Sequence, residues 1–205
     1  HQLSLLFANL GYRTDDSADQ NMQTFGAHYT GKSNQLSYGA SAYLQTGKNA
    51  GGTEKSAYMF AVNAGYKFSP IFGLTAGVDY LSGTATPSSN TTDKTFDPFS
   101  GTNHKFYGFM DYYYVGFTPS AGLLNPYLTA NVRTGEKSNL SATFHYFAPA
   151  AKFETDKKHS SYGSEIDLVY NLKVQPFIGL QLGYSTYFAN DGTKSLKNTP
   201  NQRDY

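Results

Sequence analysis

Nine short segments of the chain place an apolar or aromatic residue at every second position, with small or polar residues between. The clearest is 55–68, where Tyr58, Phe60, Val62, Ala64, Tyr66 and Phe68 share one face of an extended strand and Met59, Ala61, Asn63, Gly65 and Lys67 share the other. The same period predicts strands over 2–13, 22–31, 36–46, 55–68, 73–83, 125–134, 139–149, 162–172 and 176–189. One face suits lipid and the other water. No apolar stretch approaches the roughly 20 residues of a spanning helix. Because backbone polar groups in hydrocarbon must be satisfied internally, the pattern reads as the wall of a closed β-barrel in the outer membrane.

The links between segments alternate in length. Those at 31–35, 69–72, 135–138 and 173–175 are short hairpin turns, whereas 14–21, 47–54, 84–124, 150–161 and 190–205 are long. Outer-membrane barrels keep short turns in the periplasm and long loops outside, which orients the chain. The stretch 105–114 is strand-like, but counting it as spanning would reverse this alternation, so it belongs to the 84–124 outer loop. Its aromatics need something to pack against, so that loop is expected to fold, with a short helix or hairpin inside the mouth. Nine strands do not close an even-numbered barrel. Residues 1–205 are therefore expected to form part of a single all-β domain, a fragment of an antiparallel transmembrane barrel of about 16–18 strands.

Charge sorts onto one side of this wall. The lipid face is read as carrying Leu6, Ala8 and Leu10, then Leu74, Ala76 and Val78, and later Leu128, Val132, Leu180 and Leu182, with no charge. The opposite face is read as carrying Asn9, Thr24, His28 and Gln45 together with Arg13, Lys67, Asp79, Arg133, His145, Glu165 and Asp167. A charge facing lipid near the midplane costs roughly 2–4 kcal/mol, whereas a watery lumen tolerates both signs. The last seven are thus candidates for setting lumen field and selectivity, the alternative being ion pairs that stiffen the wall.

Composition narrows the function further. Only 15% of residues are charged while 18 are tyrosine and 15 phenylalanine, which favours an aromatic-banded strand protein over a disordered one. The formal net charge of +1 supplies no basic field for nucleic acid, and the absence of cysteine leaves no thiolate chemistry. The acidic loop 15–21 lacks the glycine and terminal glutamate of a calcium-binding EF-hand and reads as a solvated loop. His28 and His145 have no metal-site spacing, and no nucleophile or phosphate-loop motif occurs. The sequence thus points to a protein that is not an enzyme and uses neither metal nor cofactor.

The stretch 95–111 contains a Phe-Asp-Pro element, Phe96, Asp97 and Pro98, followed by His104 and then Gly108, Met110 and Asp111. This arrangement resembles the signature segment of the alginate-export family of outer-membrane porins. The strands at Phe144–Phe147 and Gly163–Asp167 resemble the C-terminal half of those barrels, and the likeness is firm from about residue 57 onward. The resemblance implies a large monomeric barrel and, for characterised members, export of an anionic polysaccharide through a pore lined by arginine and lysine. Here only Arg13, Lys67 and Arg133 are clear lumenal cations, against Asp79, Glu165 and Asp167. For His104 and Asp111 two readings stand, a loop that dips into the lumen as a constriction or a pair that closes a local turn. The expected partners are outer-membrane lipid and a hydrophilic solute or oligosaccharide. Three roles remain open: a passive channel; a non-transporting barrel that anchors other outer-membrane proteins; and a soluble ligand-binding barrel, which would turn its apolar face inward.

Overall fold

The computed structural model describes residues 1–14, 17–85, 91–99, 101–102, 104–113, 118–152 and 161–197. Nine long strands, β1 (Gln2–Thr14), β2 (Ser17–Ser33), β3 (Leu36–Lys48), β4 (Glu54–Lys67), β5 (Phe72–Leu81), β7 (Leu123–Arg133), β8 (Ser138–Phe147), β9 (Gly163–Gln175) and β10 (Ile178–Ala189), form one antiparallel meander in chain order. A two-residue strand, β6 (Thr92–Asp93), pairs parallel with the start of β4. One short helix, α1 (Asp191–Lys197), follows β10. β1 and β10 are the edges of the sheet and are not paired with each other.

Register fixes the two faces. Tyr58, Phe60, Val62 and Tyr66 pair with Leu44, Ala42, Ala40 and Leu36 on one side and, from Phe60 onward, with Tyr80, Val78 and Leu74 on the other. These even-numbered positions form a bare apolar face on which Tyr58, Phe60, Val62 and Tyr66 are all exposed. Aromatic contacts concentrate at its two rims: Phe60 stacks on Tyr80 at 4.8 Å near the loop end, and Tyr66 meets Phe68 edge-on at 5.0 Å near the turn end. Tyr58 and Tyr66 lie eight residues apart, roughly 26 Å of strand at about 3.3 Å per residue. That is the scale of a lipid-facing band between two aromatic girdles.

The short connections all fall at one end, at 34–35, 68–71, 134–137 and 176–177. At the other end the strands outrun the expected boundaries. β1 and β2 extend through most of 14–21, with Thr14 already paired to Ser17 where a long loop was expected, and Asp15 and Asp16 lie outside the described residues. The link between β3 and β4 shrinks to residues 49–53. The described part of 105–114 stays out of the sheet, in keeping with its assignment to a loop.

β1 overturns one expectation. It carries apolar residues at both parities, so its own alternation does not choose a face. Pairing with β2 chooses: Leu3 meets Tyr29, Leu5 meets Ala27 and Phe7 meets Phe25, with the two phenylalanine rings 5.1 Å apart. Leu3, Leu5 and Phe7 therefore join the bare face, and Leu6, Ala8 and Leu10 turn to the opposite one. Asn9 moves with the odd-numbered set and bonds Asn21 and Gln23 on the bare face. Arg13 is exposed and has no ladder partner among the described residues, at the register irregularity between Tyr12 and Thr14.

Candidate functional site

The inner, odd-numbered face of β3–β10 is covered at its loop end by the chain between β5 and β7. Beyond Leu81 the backbone turns back on itself: Ser82 donates its N–H to the Tyr58 carbonyl at 2.9 Å, and its hydroxyl donates to the Lys94 carbonyl at 2.7 Å. β6 then lies beside β4, and Lys55, 6% exposed, reaches Asp93 at 2.9 Å and also donates to the Thr95 carbonyl. Two residues on, the Gln45 amide clasps the backbone of Asp97, donating to its carbonyl at 2.6 Å and accepting its N–H at 2.9 Å.

The same segment is seated on the far side of the wall. Gly108 adopts a left-handed φ of 86° and sits so close to Glu165 that a Cβ there would lie 2.6 Å from the carboxylate. The next two backbone N–H groups donate to acids of β9, Phe109 to Asp167 Oδ2 at 3.3 Å and Met110 to Glu165 Oε1 at 2.9 Å. Phe96, Tyr107 and Tyr113 are buried between loop and wall, and Tyr113 shares a 2.7 Å hydrogen bond with Tyr187 of β10.

The seven signature residues divide by what they touch. Phe96, Asp97, Gly108 and Met110 contact or cover the wall, and Pro98 borders the cavity described below. His104 and Asp111 pair with each other: the imidazole Nδ1 lies 2.8 Å from Asp111 Oδ2, and the His104 N–H donates to Oδ1 at 2.8 Å. Both, like Tyr107, have positive φ, so this pair holds a tight turn together. The two readings of this pair are compatible, since the turn belongs to a segment seated on the inner face.

Electrostatics in the loop follow its contacts. Burial pushes the Asp93 carboxyl up, but hydrogen bonds from Lys55, Thr95 and Asn49 outweigh it and hold the group below its ordinary value. Burial raises Asp97, with Lys55 lowering it and Asp93 adding to the rise. Burial also raises the Tyr107 and Tyr113 phenols, so both stay neutral.

The wall charges occupy two tiers. Lys67 and Arg133 line one concavity of about 270 Å³ beside the short turns, with Arg133 also donating to the Gly135 and Glu136 carbonyls. Asp79 sits opposite Ala61, six residues from Lys67, or roughly 20 Å of strand at about 3.3 Å per residue. Around it runs a buried chain: Asn125 Nδ2 donates to Asp79 Oδ2 at 2.9 Å, Asn125 Oδ1 meets His145 Nδ1 at 3.0 Å, and His145 Nε2 lies 3.6 Å from Asp167 Oδ2. Glu165 and Asp167 are 0% and 1% exposed. Two polar anchors, Lys55 and Asn125, escaped the sequence reading. Both hold odd-numbered positions in step with Lys67 and Asn131, but each lies within the first three residues of its strand, where alternation is least informative.

A cavity of about 380 Å³ lies between the loop and the inner faces of β1–β4. Phe96, Asp97 and Pro98 border it from above and Leu6, His28 and Tyr43 from the wall. His28 Nδ1 is held by Ser41 Oγ at 2.8 Å.

An apolar girdled exterior, a polar interior and an inward loop together define an outer-membrane β-barrel wall of the transport type. The sequence matches the profile of the alginate export family over residues 4–201, nearly its whole length, so the match reaches upstream of the signature segment into the first strands. The chain belongs to the alginate export family, outer-membrane export porins of Gram-negative bacteria. No curated protein matches it significantly.

Proposed function

We propose that this chain forms part of a channel wall through which hydrophilic solutes, oligo- or polysaccharide among them, cross the outer membrane without a chemical step. The observation that carries this reading is the segregation of the inner face into a cationic tier at the short-turn end and a loop-narrowed tier at the other. In a pore a solute meets the Lys67 and Arg133 field first and a bore set by residues 92–113 second. A barrel serving only as an anchor has no need of a cationic concavity that stays open to water beside its turns.

Conductance of the protein containing this chain, reconstituted in a planar bilayer, tests the proposal. An ohmic pore is expected, with a current that rises when the loop is unseated. A barrel that stays silent, with and without its loop seated, and that co-purifies with other outer-membrane proteins would overturn it in favour of the anchoring role.

A further inference from the structure

The cavity between the loop and β1–β4 is not accounted for by a charged lumen. The ring of Tyr43 lies against Gly26 of the neighbouring strand, so close that any Cβ at Gly26 would overlap it. Tyr43 is thus held against backbone on one side and borders the cavity with the rest of its ring. The Gln45 clasp engages only the backbone of Asp97, leaving its half-buried carboxyl with no hydrogen-bond donor among the described residues. His28, bonded to Ser41 through Nδ1, retains its second ring nitrogen.

Among the described residues the lining contains no lysine or arginine. Lys55 is committed to Asp93 and Thr95, and Lys105 lies 5.2 Å over the Phe106 ring. A volume of about 380 Å³ falls within the range of small-ligand pockets, roughly 300–1,000 Å³.

We propose that this cavity is a binding subsite for an uncharged pyranose ring, stacked by its C–H face on Tyr43 with neighbouring hydroxyls donating to the Asp97 carboxylate. A sugar face carries C–H groups that pack on the negative face of an aromatic ring, while its edge needs acceptors. A uronate would bring its own carboxylate toward Asp97, where Lys55, the cation that acts on Asp97, is already paired with Asp93, and like charges in a half-dry site repel strongly. The inference rests on the channel reading and specifies what the channel slows and selects.

Current block by maltotriose, the uncharged probe, and by trigalacturonate, a charged probe of equal length, tests this. Maltotriose should interrupt the current at concentrations at least about tenfold lower than trigalacturonate, and Tyr43→Ala and Asp97→Asn should each weaken its block about tenfold. Tyr43→Phe keeps the ring and should keep the block. Equal or stronger block by trigalacturonate, or a maltotriose block indifferent to both weakening variants, overturns the proposal. If no current flows at all, the channel reading fails separately, and calorimetric titration of the same two sugars in detergent still decides the subsite: maltotriose binding lost in Asp97→Asn supports it, and no binding ends it.

Discussion

The backbone N–H of Met110 donates to the carboxylate of the fully buried Glu165 at 2.9 Å, across 55 residues of sequence. A buried amide that loses its acceptor costs about 1–3 kcal/mol, so the identity of residue 165 decides whether the loop stays down. Glu165→Gln retains an acceptor oxygen and should leave the loop seated. Glu165→Leu removes it and should raise pore conductance while increasing protease cleavage within 104–113. The two variants compared in one bilayer and one proteolysis series check this.

Gly108 gives a second route to the same outcome. Alanine there meets both a left-handed backbone and the Glu165 carboxylate. A left-handed non-glycine residue costs about 1–3 kcal/mol before the clash is counted, so Gly108→Ala should unseat the segment that Glu165→Gln leaves in place. Conductance should rise without loss of the heat-resistant folded barrel on gel electrophoresis.

At the other anchor the prediction concerns acid. The folded-state value of Asp93 is depressed, so its contribution to loop docking is present above the ordinary carboxylate value and is lost as pH falls through the lower folded one. Acidification below about pH 4 should therefore free residues 92–97 to protease. Asp93→Asn should show the freed state at neutral pH, and Lys55→Met should cost about 2–3 kcal/mol of docking, less than a fully buried pair because Asp93 keeps part of its hydration.

Lys67 faces open water beside the short turns and has no ion-pair partner among the described residues, which makes it the cleaner of the two cationic probes. Lys67→Glu should shift the reversal potential in a salt gradient toward cation preference, with the barrel's stability nearly unchanged. Arg133→Glu should shift it in the same direction but also loosen the 134–137 turn, whose carbonyls the guanidinium holds.

The face assignment of β1 predicts opposite fates for neighbours. Leu5→Arg places a charge on the bare face and should cost about 2–4 kcal/mol if near the bilayer midplane. Leu6→Arg places it at the cavity and should cost clearly less, though it should disturb the inner loop. Denaturant unfolding of both variants in lipid vesicles would show the difference, and the reverse order would contradict the register.

How much of this was legible in the residues follows from how each part is stabilised. From β2 to β10 the alternation of Tyr58, Phe60 and Val62 with Met59, Ala61 and Asn63 imposes the faces, because lipid and water select at every second position. β1 resisted because Leu3, Leu5 and Phe7 compete with Leu6, Ala8 and Leu10, and only cross-strand pairing with Phe25 and Tyr29 breaks the tie. The signature residues were visible as a motif, but their seating was not. It depends on N–H groups of Phe109 and Met110, which carry no sequence signal, finding Asp167 and Glu165 on a distant strand.

The loop that is fastened to Gln45 and Lys55 at one place and to Glu165 and Asp167 at another joins strands that β5, β7 and β8 keep apart in the sheet. It therefore works as a chord across an arc: the span of chain from Asp97 to Gly108 limits how far those strands can spread, and so how flat the sheet can become. Lengthening that span by insertion would let the arc relax, which makes the diameter of the wall a property written partly in a segment that never enters it.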